Sequence, residues 1–179
     1  MPGRLFQGLL IATLAIFVAA SSPVHAAGAG EKQVAAALGG ALTGGGDLNP
    51  GMQAGVEAAL GLTDTWAGRA AVSGSWQPSP GSDGPRHVTA LTLGGTYSLD
   101  VLRWVPFLDL GFSLADLRGN GASSQRLGPQ VGLGVEYLLS RRWTLAALAR
   151  FDYFALRLAG PASGQPWWAS AAIRVGRVF

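Results

Sequence analysis

The segment WWASAAIRVGRVF, residues 167–179, ends the chain and repeats with a period of two residues. One parity is apolar and holds Ala169, Ala171, Ile173, Val175 and Phe179. The other parity holds Ser170, Ala172, Arg174 and Gly176. A period of two predicts a β-strand with one apolar face and one polar face. The last residue of the sequence is thus an aromatic residue of the apolar face.

The composition indicates the kind of domain in which such a strand occurs. The chain has 179 residues, which predicts one domain. Charged residues make up 13% of it, against about 25% in soluble domains, and 27 residues are glycine. No apolar run of about 20 residues follows residue 26, so the mature chain is not a helical membrane protein. Low charge combined with alternation favours a transmembrane β-barrel, and a soluble periplasmic β-protein is the alternative.

Several functional classes are disfavoured by the same sequence. The net charge is +3, but the basic residues are scattered and often lie beside acids, so nucleic-acid binding is not expected. The chain has no cysteine, which excludes disulfides and thiolate metal sites. His87 is the only histidine after residue 26, and no phosphate loop or dinucleotide fingerprint occurs. We therefore expect no metal and no cofactor.

The first 26 residues resemble a secretory signal peptide in their organisation. Arg4 supplies a positive charge, residues 5–20 are apolar, and Val24 and Ala26 place small residues at positions −3 and −1 of a cleavage site. This predicts export, cleavage after Ala26 and a barrel domain over residues 27–179. The alternative is an uncleaved inner-membrane anchor, although the apolar run is short and contains Gln7.

The rest of the chain divides into eight alternating segments of about ten residues, the length that a tilted strand needs to cross a bilayer. The predicted strands are residues 33–42, 52–62, 66–76, 87–99, 104–115, 130–138, 143–154 and 167–179. Their connections alternate between long and short, and the third long loop is predicted over residues 116–128. Short periplasmic turns, long extracellular loops and an even strand number are typical of outer-membrane barrels. The predicted fold is therefore an all-β, eight-stranded, antiparallel up-and-down transmembrane barrel.

Large aromatic residues lie at the predicted strand ends. One end carries Trp66, Tyr97, Trp104, Tyr137, Trp143 and Phe179, and the other carries Trp76, Tyr153 and Trp167. Amphipathic rings concentrate where a bilayer meets water, so the pattern predicts two aromatic girdles. A soluble β-sandwich has no reason to collect its large rings at strand ends.

The stretch PFLDLGFSLADLRG and the later GPQVGLGVEYLLSRRWTLAALARFDY, residues 106–119 and 128–153, resemble small bacterial outer-membrane barrels of the OmpA/OmpX type. The resemblance covers nearly all of the mature chain through its pattern. It implies a location in the bacterial outer membrane, reached through the periplasm, and contact with membrane lipid and lipopolysaccharide. It also implies that the barrel-assembly machinery reads the terminal strand, with Phe179 as the signal. We expect a monomer.

Seven charged residues lie within predicted strands on the face opposite the apolar residues. They are Glu57, Arg69, Asp109, Glu136, Arg150, Asp152 and Arg174. A lipid-facing Arg at the midplane costs about 2–4 kcal/mol, so these residues are predicted to face the lumen. An eight-stranded interior is just wide enough to be filled by side chains, which favours a salt-bridged plug over an ion or proton path.

Two further sites are weaker predictions. His87 lies near Ser82 and Asp83, but no motif marks a nucleophile, base and orienting group, so catalysis on lipid A is not expected. Arg86, Arg118, Arg126 and Arg157 lie near the predicted extracellular rim, where lipopolysaccharide phosphates would attract them. The sequence thus favours a non-enzymatic barrel that contributes to envelope integrity or surface interaction. A narrow porin-like conduit for ions or small apolar molecules is the alternative, and a lipid A-modifying enzyme comes third.

Overall fold

The computed structural model describes residues 29–44, 49–78, 86–99, 103–119, 122–160 and 167–179. The predicted signal peptide, residues 1–26, lies outside this range. The described residues form nine strands: β1 (Lys32–Gly44), β2 (Asn49–Gly61), β3 (Trp66–Gln77), β4 (Arg86–Ser98), β5 (Trp104–Gly119), β6 (Ala122–Leu138), β7 (Trp143–Tyr153), β8 (Leu156–Ala159) and β9 (Trp167–Val178). None of the described residues belongs to a helix that could span a membrane.

Eight of these strands close into an antiparallel ring. The strands follow the order β5-β4-β3-β2-β1-β9-β7-β6, and an additional β5–β6 pairing joins the two ends of the sheet. The terminal strand β9 lies between β1 and β7, so the segment that predicts the fold also closes the barrel. The predicted eight-stranded antiparallel barrel is therefore confirmed.

The alternation of residues separates an apolar outer face from a mostly polar interior. Leu38 on β1 is 68% exposed, whereas its neighbour Ala37 is 8% exposed. Leu133 on β6 is likewise exposed, and the adjacent Gly132 is buried. Successive side chains of a strand point to opposite faces, so a closed barrel sends one parity inward and the other outward. The exposed large side chains are the apolar ones, which is the pattern expected of a wall that meets lipid.

The two ends of the barrel differ. The turns β2–β3, β4–β5 and β6–β7, the start of β1 and the end of β9 lie at one end, called the turn end here. There the Phe179 N–H donates to the Lys32 carbonyl over 2.8 Å, which fixes the last residue against the first strand. The opposite end, called the loop end, carries the remaining connections.

The prediction of a third long loop over residues 116–128 is wrong. β5 continues to Gly119 and β6 begins at Ala122, so most of that segment is a paired hairpin. The long connection between the predicted strands 143–154 and 167–179 is also partly a strand, because β8 (Leu156–Ala159) pairs with β6. Phe154 and Ala155, between β7 and β8, stand opposite Gly128, which is the arrangement of a β-bulge.

Candidate functional site: the barrel lumen

The seven charged residues predicted for the lumen lie on the inward-facing parity of five different strands, β2, β3, β5, β6 and β7, and on the terminal strand β9. Six of them form one connected network of ion pairs. These six are Glu57, Arg69, Asp109, Glu136, Arg150 and Arg174. Three guanidinium groups therefore face three carboxylates, and the network is neutral in formal charge.

Glu57 is the centre of the network. Its Oε1 accepts a hydrogen bond from Arg174 Nη1, and its Oε2 accepts one from Arg150 Nη2 over 2.5 Å. Arg69 Nη1 lies 3.5 Å from the same Oε2. All three arginines belong to other strands, so one carboxylate joins β2 to β3, β7 and β9. Charge-assisted bonds of this kind are the strong ones, and three of them converge here in a buried site.

Asp109 and Glu136 complete the network on the opposite wall. Asp109 Oδ2 lies 3.4 Å from Arg69 Nη1 and 3.5 Å from Arg150 Nη2, and its Oδ1 accepts from Thr96 Oγ1 over 2.7 Å. Glu136 Oε1 accepts from Arg174 Nη2 over 3.2 Å and from Gln33 Nε2 over 2.8 Å. The network thus crosses the lumen from wall to wall.

Glycines in β6 leave the space that these side chains occupy. A Cβ added at Gly132 would lie 3.0 Å from Arg150 Cγ and 3.2 Å from Asp109 Cβ. A Cβ added at Gly134 would collide with the ring of Phe107. Phe107 in turn lies under Arg174, whose Cζ is 4.7 Å from the ring centroid. The glycine-spaced sequence of β6 therefore has a packing role, because bulkier residues would displace the network.

Asp152 is the predicted lumen residue that does not join the network. Its carboxylate accepts a hydrogen bond from Ser113 Oγ, and Ser113 shares a 2.7 Å hydrogen bond with Thr92. Asp152 is buried, and it lies across from Gln130 on β6 and Trp168 on β9. It therefore belongs to a small separate cluster nearer the loop end.

An apolar cap closes the lumen on the loop side of Asp152. The cap is defined by six buried residues from four strands and the bulge: Ala41, Val88, Ala90, Ala115, Phe154 and Trp168. Trp168 is 3% exposed, and its Nε1 has no hydrogen-bond partner among the described residues. Sequence reasoning assigned no role to Trp168 or Phe154. The signal was present, since Trp167 and Trp168 have opposite parity and only one of them can face lipid.

A cavity of about 110 Å³ lies on the opposite side of the network and opens at the turn end. We call it the vestibule. Its lining includes Gln33, Ala59 and Ala67 near the mouth, and Arg69 and Arg174 at its inner end. The Nε atoms of these two arginines have no partner among the described residues. A water takes up about 30 Å³, so the vestibule has room for a few waters that could satisfy those donors.

The predicted girdle residues lie on the outward face at the two rims. Trp66 packs against Tyr97 with ring centroids 5.1 Å apart, and Trp104 packs against Tyr137 at 4.6 Å. The pairs are cross-strand neighbours. Also at the turn end, Arg177 lies over the rings of Trp143 and Phe179. Toward the loop end, Trp167 stacks on Phe151, and the girdle there also includes Trp76 and Tyr153, both exposed.

The residues considered for catalysis are not brought together among the described residues. His87 faces outward between its cross-strand neighbours Trp76 and Arg118, and it has no hydrogen-bond partner in the described part of the chain. Ser82 and Asp83 lie outside the described residues. The nearby Asp116 accepts from Arg118 and from Ser123, so its carboxylate is occupied by groups other than histidine. Within the described ranges no cluster of His, Cys, Asp and Glu could hold a metal ion.

Comparison with solved structures places this architecture among known barrels. The chain is similar to Neisserial surface protein A, with 16% identity, a TM-score of 0.71 and coverage of 83% of this chain and 98% of that one. It is also similar to the N-terminal β-barrel domain of Pseudomonas aeruginosa OprF, with 16% identity, a TM-score of 0.59 and coverage of 85% and 99%. The outer-membrane enzyme PagL matches with 16% identity, a TM-score of 0.53 and coverage of 80% and 97%.

No protein-family model matches the chain. No curated protein matches it either. The structural likeness shows the fold, which is that of the small eight-stranded barrels of bacterial outer membranes. Together with the apolar outer face, this fold defines the chain as an integral outer-membrane β-barrel protein.

Proposed function

We propose that the protein is a non-enzymatic, non-conducting component of the outer membrane that contributes to envelope integrity or to surface interaction. The observation that carries the proposal is a lumen occupied at two successive levels, by the ion-pair network around Glu57 and by the apolar cap around Trp168. An ion crossing the barrel would have to displace both. Interiors of eight-stranded barrels are commonly filled by side chains.

The test is conductance of the purified, refolded barrel in a planar lipid bilayer. A filled lumen gives no discrete openings at any applied voltage that the bilayer tolerates. Reproducible openings of one size in the wild-type protein would contradict the proposal and favour a conduit.

A narrow conduit for ions or small apolar molecules is the second candidate, and one observation favours it. The vestibule brings solvent-accessible space from the turn end to Arg69 and Arg174, so part of the lumen is already open. A conduit would need both the network and the cap to move aside. The conductance experiment separates the two candidates, because only a mobile network and cap yield openings in the unmodified chain.

Lipid A modification is the third candidate, because PagL, one of the structural neighbours, is an outer-membrane enzyme. Among the described residues His87 bonds to no hydroxyl or carboxylate group, which supports the non-enzymatic proposal, since a hydroxyl nucleophile needs a base within hydrogen-bond reach. The test compares lipid A from cells that produce wild-type protein and the His87→Ala variant. Lipid A that is altered by the wild type and restored by the variant would establish an enzyme.

We propose further that the turn end faces the periplasm and the loop end faces the exterior, as in barrels with short periplasmic turns. In that orientation the four rim arginines differ in exposure. Arg118 and Arg157 are exposed at the loop end, whereas Arg86 is half-buried and Arg126 is buried on the lumen side. Contact with lipopolysaccharide phosphates is therefore proposed for Arg118 and Arg157. Weaker lipopolysaccharide retention by the Arg118→Gln and Arg157→Gln double variant would support this, and unchanged retention would oppose it.

Export and assembly complete the proposal. Cleavage after Ala26 predicts that protein isolated from outer membranes begins at Ala27, which N-terminal sequencing checks. Phe179 is proposed as the residue read by the barrel-assembly machinery, since it directly follows β9 at the seam with β1. Deleting Phe179 should lower the amount of assembled barrel in cells. Assembly at the wild-type level would show that the signal lies elsewhere.

A further inference from the structure

The outer wall contains a shallow apolar trough over strands β6, β7 and β9. Its volume is about 770 Å³, and its lining includes Leu133, Val135, Ala147, Ala149, Ala171 and Ile173. The register explains its shape. Leu133, Ala149 and Ala171 lie on one cross-strand row, and Val135, Ala147 and Ile173 lie on the next row toward the turn end. Alanines therefore form the floor, and larger aliphatic side chains form the flanks.

Two exposed arginines lie at the turn end of the same three strands. Trp143 is the cross-strand neighbour of Arg177, and the Val178 N–H donates to the Arg142 carbonyl over 2.9 Å, so the two arginines are adjacent. Neither guanidinium has a carboxylate partner among the described residues. Arg177 lies over the rings of Trp143 and Phe179, with its Cζ 5.7 Å and 5.0 Å from their centroids. A guanidinium stacked on rings keeps its N–H edge free for a phosphate.

The distance between the trough and these arginines matches the distance between the acyl chain and the phosphate of one lipid. Ile173 and Arg177 are four positions apart, which is about 13 Å along a strand. For a strand tilted by about 40° this is about 10 Å along the membrane normal. One leaflet contributes about 15 Å of hydrocarbon. A lipid whose phosphate lies at Arg177 would therefore place an acyl chain in the trough.

We propose that the trough and the pair Arg142 and Arg177 form a binding site for one anionic glycerophospholipid of the leaflet at the turn end. The phosphate and the negative headgroup contact the two guanidinium groups. One acyl chain lies between the flanks formed by Leu133, Val135 and Ile173. Basic residues at the membrane surface attract anionic lipids, and the trough adds an apolar fit to that attraction. In the orientation proposed above, this leaflet is the periplasmic one. The identity of the leaflet is the only part of the proposal that depends on that orientation.

The experiment titrates the folded barrel in detergent micelles with a phosphatidylglycerol and, separately, with a phosphatidylcholine of the same acyl chains. Native mass spectrometry counts the lipids that stay bound. Arg142→Gln and Arg177→Gln remove the headgroup contacts, and Ala149→Leu fills the trough while keeping the wall apolar. Two matched controls lie outside the site: Ala54→Leu, an exposed outward alanine on β2, and Arg103→Gln, an exposed arginine that precedes β5. Heat-modified migration on gels verifies that each variant is folded.

The wild-type barrel should retain one phosphatidylglycerol in preference to phosphatidylcholine. Each arginine substitution should weaken phosphatidylglycerol binding by about fivefold and leave phosphatidylcholine unchanged. Ala149→Leu should weaken the binding of both lipids, and the two controls should behave as the wild type.

The proposal is overturned if the wild type shows no preference, if Ala149→Leu binds like Ala54→Leu, or if lipopolysaccharide outcompetes phosphatidylglycerol. It is also overturned if the trough holds a second barrel, seen as a dimer that Ala149→Leu abolishes. Binding in micelles depends on neither conductance nor orientation, so its failure is distinct from failure of the proposed function.

Discussion

The two halves of the lumen are filled by different means. On the turn side, a network of three arginines and three acids centred on Glu57 crosses the interior, and the vestibule opens beside it. On the loop side, Trp168 and Phe154 pack with small apolar residues into a cap. The network borders the water-accessible vestibule through Arg69 and Arg174, although most of its residues are buried about as deeply as those of the cap.

This difference shows how a narrow barrel can be both stable and closed. A buried ion-pair network holds distant strands in register, but it gains little stability over a well-packed apolar interior because its charges have lost water. An apolar cap gains directly from burial but holds no polar group in place. The charged network lies beside water, where its desolvation penalty is smaller. The apolar cap lies on the other side of the lumen, where the burial of apolar surface is favourable.

The largest effect is expected when the network loses its centre. Glu57→Gln keeps the side-chain volume but leaves three arginines facing two acids. Removing one partner of a buried ion pair typically costs about 3–5 kcal/mol, because the remaining charge is buried without compensation. Urea unfolding of the barrel in lipid vesicles, followed by tryptophan fluorescence, measures the loss in free energy of unfolding.

The matched comparison is Asp152→Asn. Asp152 is buried but lies outside the network, and Asp152→Asn keeps an oxygen that can accept from Ser113 while it removes the charge that strengthens this bond. A hydrogen bond of this type contributes about 1–3 kcal/mol. Asp152→Asn and Glu57→Gln could lower the free energy of unfolding by the same amount. In that case the network would stabilise the barrel no more than a single buried carboxylate does, and the division of the lumen into two kinds of filling would be wrong.

The alternation of inward and outward residues along each strand predicted most of the arrangement of charged residues in the lumen. Alternation alone indicated which residues face inward, and the structure brings six of the seven charged ones into contact. It could not reveal that Asp152 stands apart, because strand parity carries no information about height along the barrel axis. The hairpin over residues 116–128 escaped prediction for a related reason. Its outward residues Asp116 and Arg118 form an ion pair instead of an apolar face, so the two-residue pattern of hydrophobicity stops there.

The cap escaped prediction for a different reason. Phe154 enters the interior next to a bulge, and a bulge depends on the local pairing of two strands rather than on either sequence alone. Gly128 marks the place, since a Cβ there would collide with the backbone of Tyr153 and Phe154. That constraint becomes visible only once the register between β6 and β7 is known.

A second prediction tests whether the network half accepts charge because it is wet. Leu133→Arg places an arginine on the lipid-facing wall, where it should cost about 2–4 kcal/mol of unfolding free energy. Ala67→Arg places one in the vestibule, where water remains available, and should cost clearly less. The same urea titrations measure both variants. Equal losses would mean that the vestibule is as dry as the wall, and the contrast between the two halves would disappear.

A third prediction probes water access directly and uses the absence of native cysteine. The Ala59→Cys variant places a thiol in the vestibule, and Ala115→Cys places one in the cap, where Ala115 has no exposed surface. A small charged thiol reagent should label Ala59→Cys rapidly and Ala115→Cys only when the barrel is unfolded in urea. Mass spectrometry follows the labelling with time. Comparable rates in the folded barrel would show that the cap admits water, which favours a conduit.

The smallest effect is expected from Trp168→Phe. The substitution keeps an aromatic ring in the cap and removes Nε1, a buried donor that has no partner among the described residues. An unsatisfied buried N–H costs free energy, so its loss offsets the smaller ring, and the net change should be within about 1 kcal/mol. Trp168→Ala, which empties the position, should cost about 3–5 kcal/mol. If Trp168→Phe proved nearly as damaging as Trp168→Ala in the urea titration, the indole N–H would have a partner in solution, and the cap would be a polar contact instead of an apolar seal.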